Sequence, residues 1–182
     1  MIVRRTMTAE DLLEWPDDGN FYELVEGELR VMSRAGYDHG KVVIRASLLI
    51  GQHALANDLG DVLGAETGFT LRKTPDTVRA PDVAFVSKNR VPLREQQRRF
   101  AELAPDLVVE VASPGDRAAA IDEKVEDYLR AGVRLIWVLW PQTQTVVEYR
   151  PGTNARTIRA EDSIDGYDVL PGFRCKVADF FA

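Results

Sequence analysis

Pro105-Asp106-Leu107-Val108-Val109-Glu110-Val111-Ala112-Ser113-Pro114 is the stretch on which the reading of this chain turns. Its β-branched residues and its closing Ser-Pro predict a short strand ended by a turn. Side chains alternate along a strand, so Leu107, Val109 and Val111 share one face and Val108, Glu110 and Ala112 the other. Glu110 therefore sits among apolar neighbours on its own face. An ionised carboxylate removed from water is costly unless it is paired, hydrogen-bonded or bound to a metal, so this position requires a partner.

Downstream, Ser113-Pro114-Gly115-Asp116 breaks the strand and is expected to cap a helix running to about Ala131, with Gly132 as its stop. At 100° per residue, Ile121, Val125 and Tyr128 form one apolar stripe, with Lys124 on its edge. Asp122, Glu123, Glu126, Asp127 and Arg130 take the opposite arc. One lysine is thus held back from the charged face, either pointing inward or snorkelling toward the helix end. Val133 to Trp140 reads as the next strand and Thr145 to Arg150 as another. The strand-helix-strand order predicts a right-handed crossover between parallel neighbours.

Upstream, Pro81-Asp82 opens the apolar run Val83-Ala84-Phe85-Val86, which sets a second carboxylate on the sheet unless Asp82 is only a turn cap. Asp61 to Leu71 reads as one strand pairing with that run across a turn at Thr74-Pro75-Asp76. Two sheet carboxylates can hold Mg²⁺ or Mn²⁺, and a nearby lysine can orient an attacking water or offset phosphate charge. That set suits phosphodiester hydrolysis.

Toward the N-terminus, Thr8-Ala9-Glu10-Asp11 has the pattern of a capping box opening a short helix that Pro16 closes. Phe21 to Met32 reads as a hairpin turning at Glu26-Gly27, and His39 to Asn57 as a long amphipathic helix ending before Gly60. Beyond Arg150, short strands and a helical turn are expected through Tyr167, Phe173 and Phe180-Phe181.

The totals narrow the function classes. A length of 182 residues with 45% hydrophobic content predicts one domain over residues 1–182 with a sizeable core. A formal charge of -6 and a pI near 5.0 argue against a surface that coats nucleic acid broadly. Any such contact must be local. A single cysteine, Cys175, rules out an intramolecular disulfide and a cysteine-rich metal site, in keeping with a reducing compartment. No membrane-length apolar run or signal-peptide core is present, so a cytoplasmic protein is expected.

Tyr22-Glu23-Leu24-Val25-Glu26-Gly27-Glu28-Leu29, His39-Gly40, Pro81-Asp82-Val83-Ala84, the Pro105–Pro114 stretch, and Asp122-Glu123-Lys124 with Tyr128, Ala131-Gly132-Val133 and Trp137 together resemble the Uma family of restriction-endonuclease-like proteins. The likeness covers roughly residues 8 to 150 and rests on order and spacing. It implies the PD-(D/E)XK nuclease superfamily: an α/β, restriction-endonuclease-like core with a mixed central β-sheet flanked by helices, an N-terminal hairpin, and a site for Mg²⁺ or Mn²⁺. It carries Asp82 and Glu110 over as metal ligands and Lys124 as the catalytic lysine. The superfamily's usual lysine, two residues after the acid, is Ala112 here; the Uma pattern takes its lysine from the next helix. Glu23 matches a recurrent family acid and is a further metal candidate, against a hairpin residue facing solvent. Trp140 stands where an aspartate commonly precedes the proline.

His39 is a candidate phosphate contact or supporting donor, against a merely structural histidine, and Glu66 a candidate fourth carboxylate in the strand before Asp82. Arg90, Arg94, Arg98 and Arg99 could grip a DNA backbone or be solvated loop charge. Trp137 and Trp140 read as core or dimer-interface residues. The expected activity is a metal-dependent DNA endonuclease, with DNA and a second copy of the chain as partners. The alternatives are a catalytically silent nuclease-like domain used in dimerisation or nucleic-acid binding, and a structural partner-binding domain. A Glu110 paired only with an arginine such as Arg117 would leave the nuclease reading to the resemblance alone.

Overall fold

The computed structural model describes residues 6–182. Thr8 caps the first helix, α1 (Ala9–Leu13): its hydroxyl accepts from the Asp11 N–H while Asp11 accepts from the Thr8 N–H, the expected capping box. Strands β1 (Tyr22–Val25) and β2 (Glu28–Val31) form the expected hairpin. Glu26 and Gly27 both have positive φ, the conformation a tight two-residue hairpin turn requires. A side chain at Gly27 would also meet Thr6 at 2.5 Å.

Helix α2 (Tyr37–Ala56) begins two residues ahead of His39 and buries Val42, Ala46, Ile50 and Ala54. The single strand expected over Asp61 to Leu71 is two, β3 (Gly60–Gly64) and β4 (Phe69–Arg72), lying in different sheets. The Gly64-Ala65-Glu66-Thr67-Gly68 segment lacks the side chains to hold a continuous ladder, and Glu66 turns there with φ 74. The pairing expected with the Asp82 strand holds for β3 alone. Strand β4 pairs instead with β5 (Thr77–Arg79), a three-residue strand that pattern reading passed over, and β3 pairs with β6 (Val83–Ser87).

The central strand is β7 (Leu107–Val111), followed by α3 (Ala118–Ala131) and β8 (Leu135–Trp140). The N-cap of α3 is Arg117; Ser113–Asp116 forms a separate turn closed by Asp116 accepting the Ser113 N–H. Gly132, in the left-handed region, ends the helix as expected. The chain then adds β9 (Thr145–Tyr149), β10 (Arg156–Ile158), β11 (Ser163–Asp165), β12 (Arg174–Lys176) and a 3₁₀ turn at Val177–Phe180.

Six strands make the main sheet in the order β10-β9-β8-β7-β6-β3, and β2-β1-β5-β4 make a second sheet. The sheet is mixed: β7 and β8, joined through α3, are parallel, and the other pairs are antiparallel. Its two faces are covered differently. Leu107, Val109 and Val111 face α2 and the C-terminal residues Phe173, Val177 and Phe180, while Val108 and Ala112 face Ile121, Val125 and Tyr128 of α3. Trp137 is fully buried against Phe173 and Phe180, so it belongs to the core and not to a dimer interface. Cys175 is half-buried, and burial pushes its thiol up to about 12, which makes it a packed residue and a poor nucleophile. Among the described residues no helix is long and apolar enough to cross a membrane.

Candidate active site

Glu110 lies on the α3 face of β7, as the alternation predicts, and it is buried. Its partners come from one helix. Tyr128 Oη donates to Glu110 Oε1 at 2.6 Å, and Lys124 Nζ reaches Oε2 at 3.2 Å and Oε1 at 3.4 Å. Lys124 and Tyr128 are four residues apart, one above the other on the helix, so docking the apolar stripe of α3 delivers an ammonium and a hydroxyl together. The lysine points inward and does not snorkel along the rim.

Glu23 on β1 is buried on the other side of that ammonium, with Oε1 3.3 Å from Lys124 Nζ. Both its oxygens are already engaged: Oε1 accepts from the Ala80 N–H at 3.0 Å and Oε2 from Arg79 at 2.9 Å. Glu23 is therefore no solvent-facing hairpin residue, and as a metal ligand it would first have to release protein donors. Arg79, at the end of β5, spends the rest of its guanidinium on Asp127 Oδ2 at 2.7 and 2.9 Å.

Asp82 immediately precedes β6. Val83 of β6 pairs with Val109 of β7, so the antiparallel register carried one step further sets Asp82 beside Glu110. Its Oδ2 accepts the Val111 N–H at 2.7 Å and lies 3.3 Å from His39 Nε2; among the described residues nothing donates to its Oδ1. His39 comes from the first turn of α2, and its Nδ1 is buried without a hydrogen-bond partner. Glu66 is not a strand residue: it stands exposed in the β3–β4 turn. Arg117 is not the partner of Glu110.

The electrostatics follow from the crowding of acids. Burial raises the Glu110 carboxyl to about 7, Asp82 and Glu23 push it the same way, and Lys124 and Tyr128 oppose them. Burial alone would depress the Lys124 ammonium, but Glu110 and Glu23 raise it and keep it charged. The hydrogen bond to Asp82 raises His39 above the ordinary imidazole value, against burial. Two carboxylates thus flank one ammonium and Asp82 acts on it from beyond contact distance, while Arg79 is shared among Glu23, Asp127 and Glu123.

Such a surplus of hard oxygen donors suits Mg²⁺ or Mn²⁺. The open Oδ1 of Asp82 beside Glu110 fits a divalent cation. Among the described residues no three His, Cys, Asp or Glu side chains converge as a ready cage, so such a cation would rely on two carboxylates and water. Pattern reading missed Arg79 and gave Tyr128 only a packing role. The signal for Tyr128 was present: a tyrosine on a buried stripe needs a partner for its hydroxyl, and the acid on the facing strand was the available one.

The arginine-rich segment divides. Arg90 donates to Asp106 Oδ1 at 2.6 Å and to the Ala104 carbonyl at 2.8 Å, which ties it into the structure, whereas Arg99 is exposed and only 3.6 Å from the equally exposed Glu10. Arg94 and Arg98 are exposed.

The chain resembles a solved protein in fold. A crystal structure described as a "putative nuclease belonging to DUF820" from Anabaena variabilis superposes with a TM-score of 0.84, covering 96% of this chain and 97% of that chain at 19% sequence identity. No curated protein matches this chain. The sequence model of the Uma2 family, described as "Putative restriction endonuclease", matches residues 9–178. A match over nearly the whole length makes this chain a member of the Uma2 family.

Proposed function

We propose that the protein is a metal-dependent nuclease that hydrolyses phosphodiester bonds in DNA. One observation carries the reading: the Lys124 ammonium is held between Glu110 and Glu23 while Asp82, across the register from Glu110, keeps an oxygen open. Asp82 and Glu110 would hold Mg²⁺ or Mn²⁺. The cation, when bound, supplies positive charge against the phosphate and favours ionisation of an attacking water. Lys124 donates to that water and offsets charge developing on the phosphate, and Glu23 keeps the ammonium aimed. Tyr128 holds Glu110 in one orientation. Val111 N–H and His39 do the same for Asp82. The lone cysteine supports action in a reducing cytoplasm, and a two-stranded substrate makes a second copy of the chain a natural partner.

Calorimetric titration with Mn²⁺ and a plasmid-nicking assay test this. Wild-type protein is expected to bind Mn²⁺ and nick DNA. Asp82→Ala and Glu110→Ala should lose both, and Lys124→Ala should lose nicking. Binding unchanged by either acid substitution, or nicking that survives Lys124→Ala, overturns the assignment.

A second reading, a catalytically silent domain that binds nucleic acid or pairs with itself, draws support from the way Lys124 and Tyr128 already satisfy Glu110. Salt-sensitive retardation of DNA with no cleavage under any divalent metal would favour it.

A further inference from the structure

The two helices on the two faces of the main sheet present different outer surfaces. The outer arc of α3 carries Asp122, Glu123, Glu126 and Arg130, as a helix facing water should. The outer arc of α2 carries Lys41, Arg45 and Gln52 along one edge only, beside a line of large apolar side chains. Tyr37, Ile44, Leu48 and Leu55 are 87%, 56%, 50% and 81% exposed. Their spacings of seven, four and seven residues bring all four within about 20° of one line along the helix at 100° per residue. That line runs opposite the buried Val42, Ala46, Ile50 and Ala54.

We infer that this stripe is a dimer seam in which α2 packs antiparallel against α2 of a second copy, about a two-fold axis passing between Ile44 and Leu48. The spacing reads the same in both directions, so the stripe is complementary to itself. Under the two-fold, Tyr37 meets Leu55 of the other copy and Ile44 meets Leu48, each contact occurring twice, as an isologous interface requires. The glycines fit the same register. Gly51 falls opposite Lys41, and a side chain there would meet nothing within 4 Å in the single chain, so the lysine stem has room to lie across the partner helix. The two Lys41 ammonium groups stand ten residues apart along the pair, about 15 Å, and do not oppose one another.

Area points to a second copy as the occupant. Four large apolar side chains per chain, each at least half exposed, would together remove on the order of 1,000 Å² from water, the level at which an interface becomes specific. A short apolar peptide would cover only one side of such a seam. Neither metal nor nucleic acid enters the inference, which stands or falls apart from the nuclease reading.

Sedimentation velocity on the full chain over a concentration series tests it. Wild-type protein is expected at twice the monomer mass at micromolar concentration. Ile44→Glu with Leu48→Glu should halve that mass and leave the far-ultraviolet circular dichroism unchanged, and Leu55→Glu alone should weaken association at the seam's end. A monomeric wild type, or a dimer that survives these substitutions, overturns the inference. Orientation is read by crosslinking in a Cys175→Ser background. A mixture of Tyr37→Cys and Leu55→Cys chains should oxidise to the mixed disulfide, whereas Tyr37→Cys chains crosslinking among themselves would overturn the antiparallel seam.

Discussion

Tyr128 Oη sits 2.6 Å from Glu110 Oε1, a buried hydroxyl donating to a buried carboxyl across the packed interface of α3 and β7. Replacing Tyr128 by Phe keeps the ring's packing and removes that donor. A hydrogen bond to a charged group contributes about 1.5–3 kcal/mol, so Tyr128→Phe should destabilise the fold by that order, read by urea denaturation. Because the bond also opposes the rise of the Glu110 carboxyl, its loss should move that group further up from about 7, read by carboxyl NMR shifts.

The raised value of Glu110 sets a pH dependence. Its folded value, about 7, lies above the ordinary 4.5, so the folded chain binds that proton more tightly than the unfolded chain. The resulting stability is fully present below the ordinary value and is lost as pH rises through about 7. The metal-free midpoint of denaturation should therefore fall across that window, and Glu110→Gln should flatten the fall. Cation binding draws on the ionised form, so Mn²⁺ affinity should rise over the same window, with proton release measurable in buffers of different ionisation enthalpy.

Arg79 is buried between Glu23 and Asp127. Arg79→Met would strand Asp127 and leave Glu23 with only Lys124 and the Ala80 N–H, and breaking a buried pair costs about 3–5 kcal/mol. Thermal and urea denaturation should show a loss of that order. Adding Asp127→Asn should recover part of it, since the stranded charge is then gone.

Arg90 and Arg94 should separate cleanly. Burial alone would raise the Asp106 carboxyl, but the Ser87 N–H and Arg90 hold it below the ordinary range. Arg90→Ala should destabilise the fold by about 1.5–3 kcal/mol. Arg94→Ala, on the exposed surface, should stay within about 0.5 kcal/mol of wild type. If the segment contacts DNA, salt-dependent retardation should respond to Arg94 and Arg98 at unchanged stability.

Local pattern carried much of this architecture. The alternation from Leu107 to Val111 placed Glu110 on the correct face, the stripe of α3 turned Lys124 inward, and Glu26-Gly27 marked the hairpin. Each is a property of a few consecutive residues. What escaped was set by pairing between distant segments. Thr77-Val78-Arg79 is too short to declare itself a strand and exists as one because β1 and β4 flank it. With β5 unseen, Arg79 had no position, and Glu23 read as better suited to solvent than to a metal. The division of Asp61–Leu71 between two sheets likewise depends on where the ladders of β5 and β6 lie. Glu66 was misplaced for the same reason. The cap of α3 failed locally, because Asp116 closes its own turn onto Ser113 instead of opening the helix.

The delivery of Lys124 and Tyr128 by one helix also couples the docking of that helix to the protonation of Glu110. Glu23, Asp82 and Glu110 are far apart in sequence, and until α3 docks Glu110 remains a hydrated carboxylate of ordinary acidity. Docking buries it and brings its ammonium and its hydroxyl in the same step. Near neutral pH that step takes up part of a proton, so the equilibrium between docked and undocked helix should shift with pH across the window around 7.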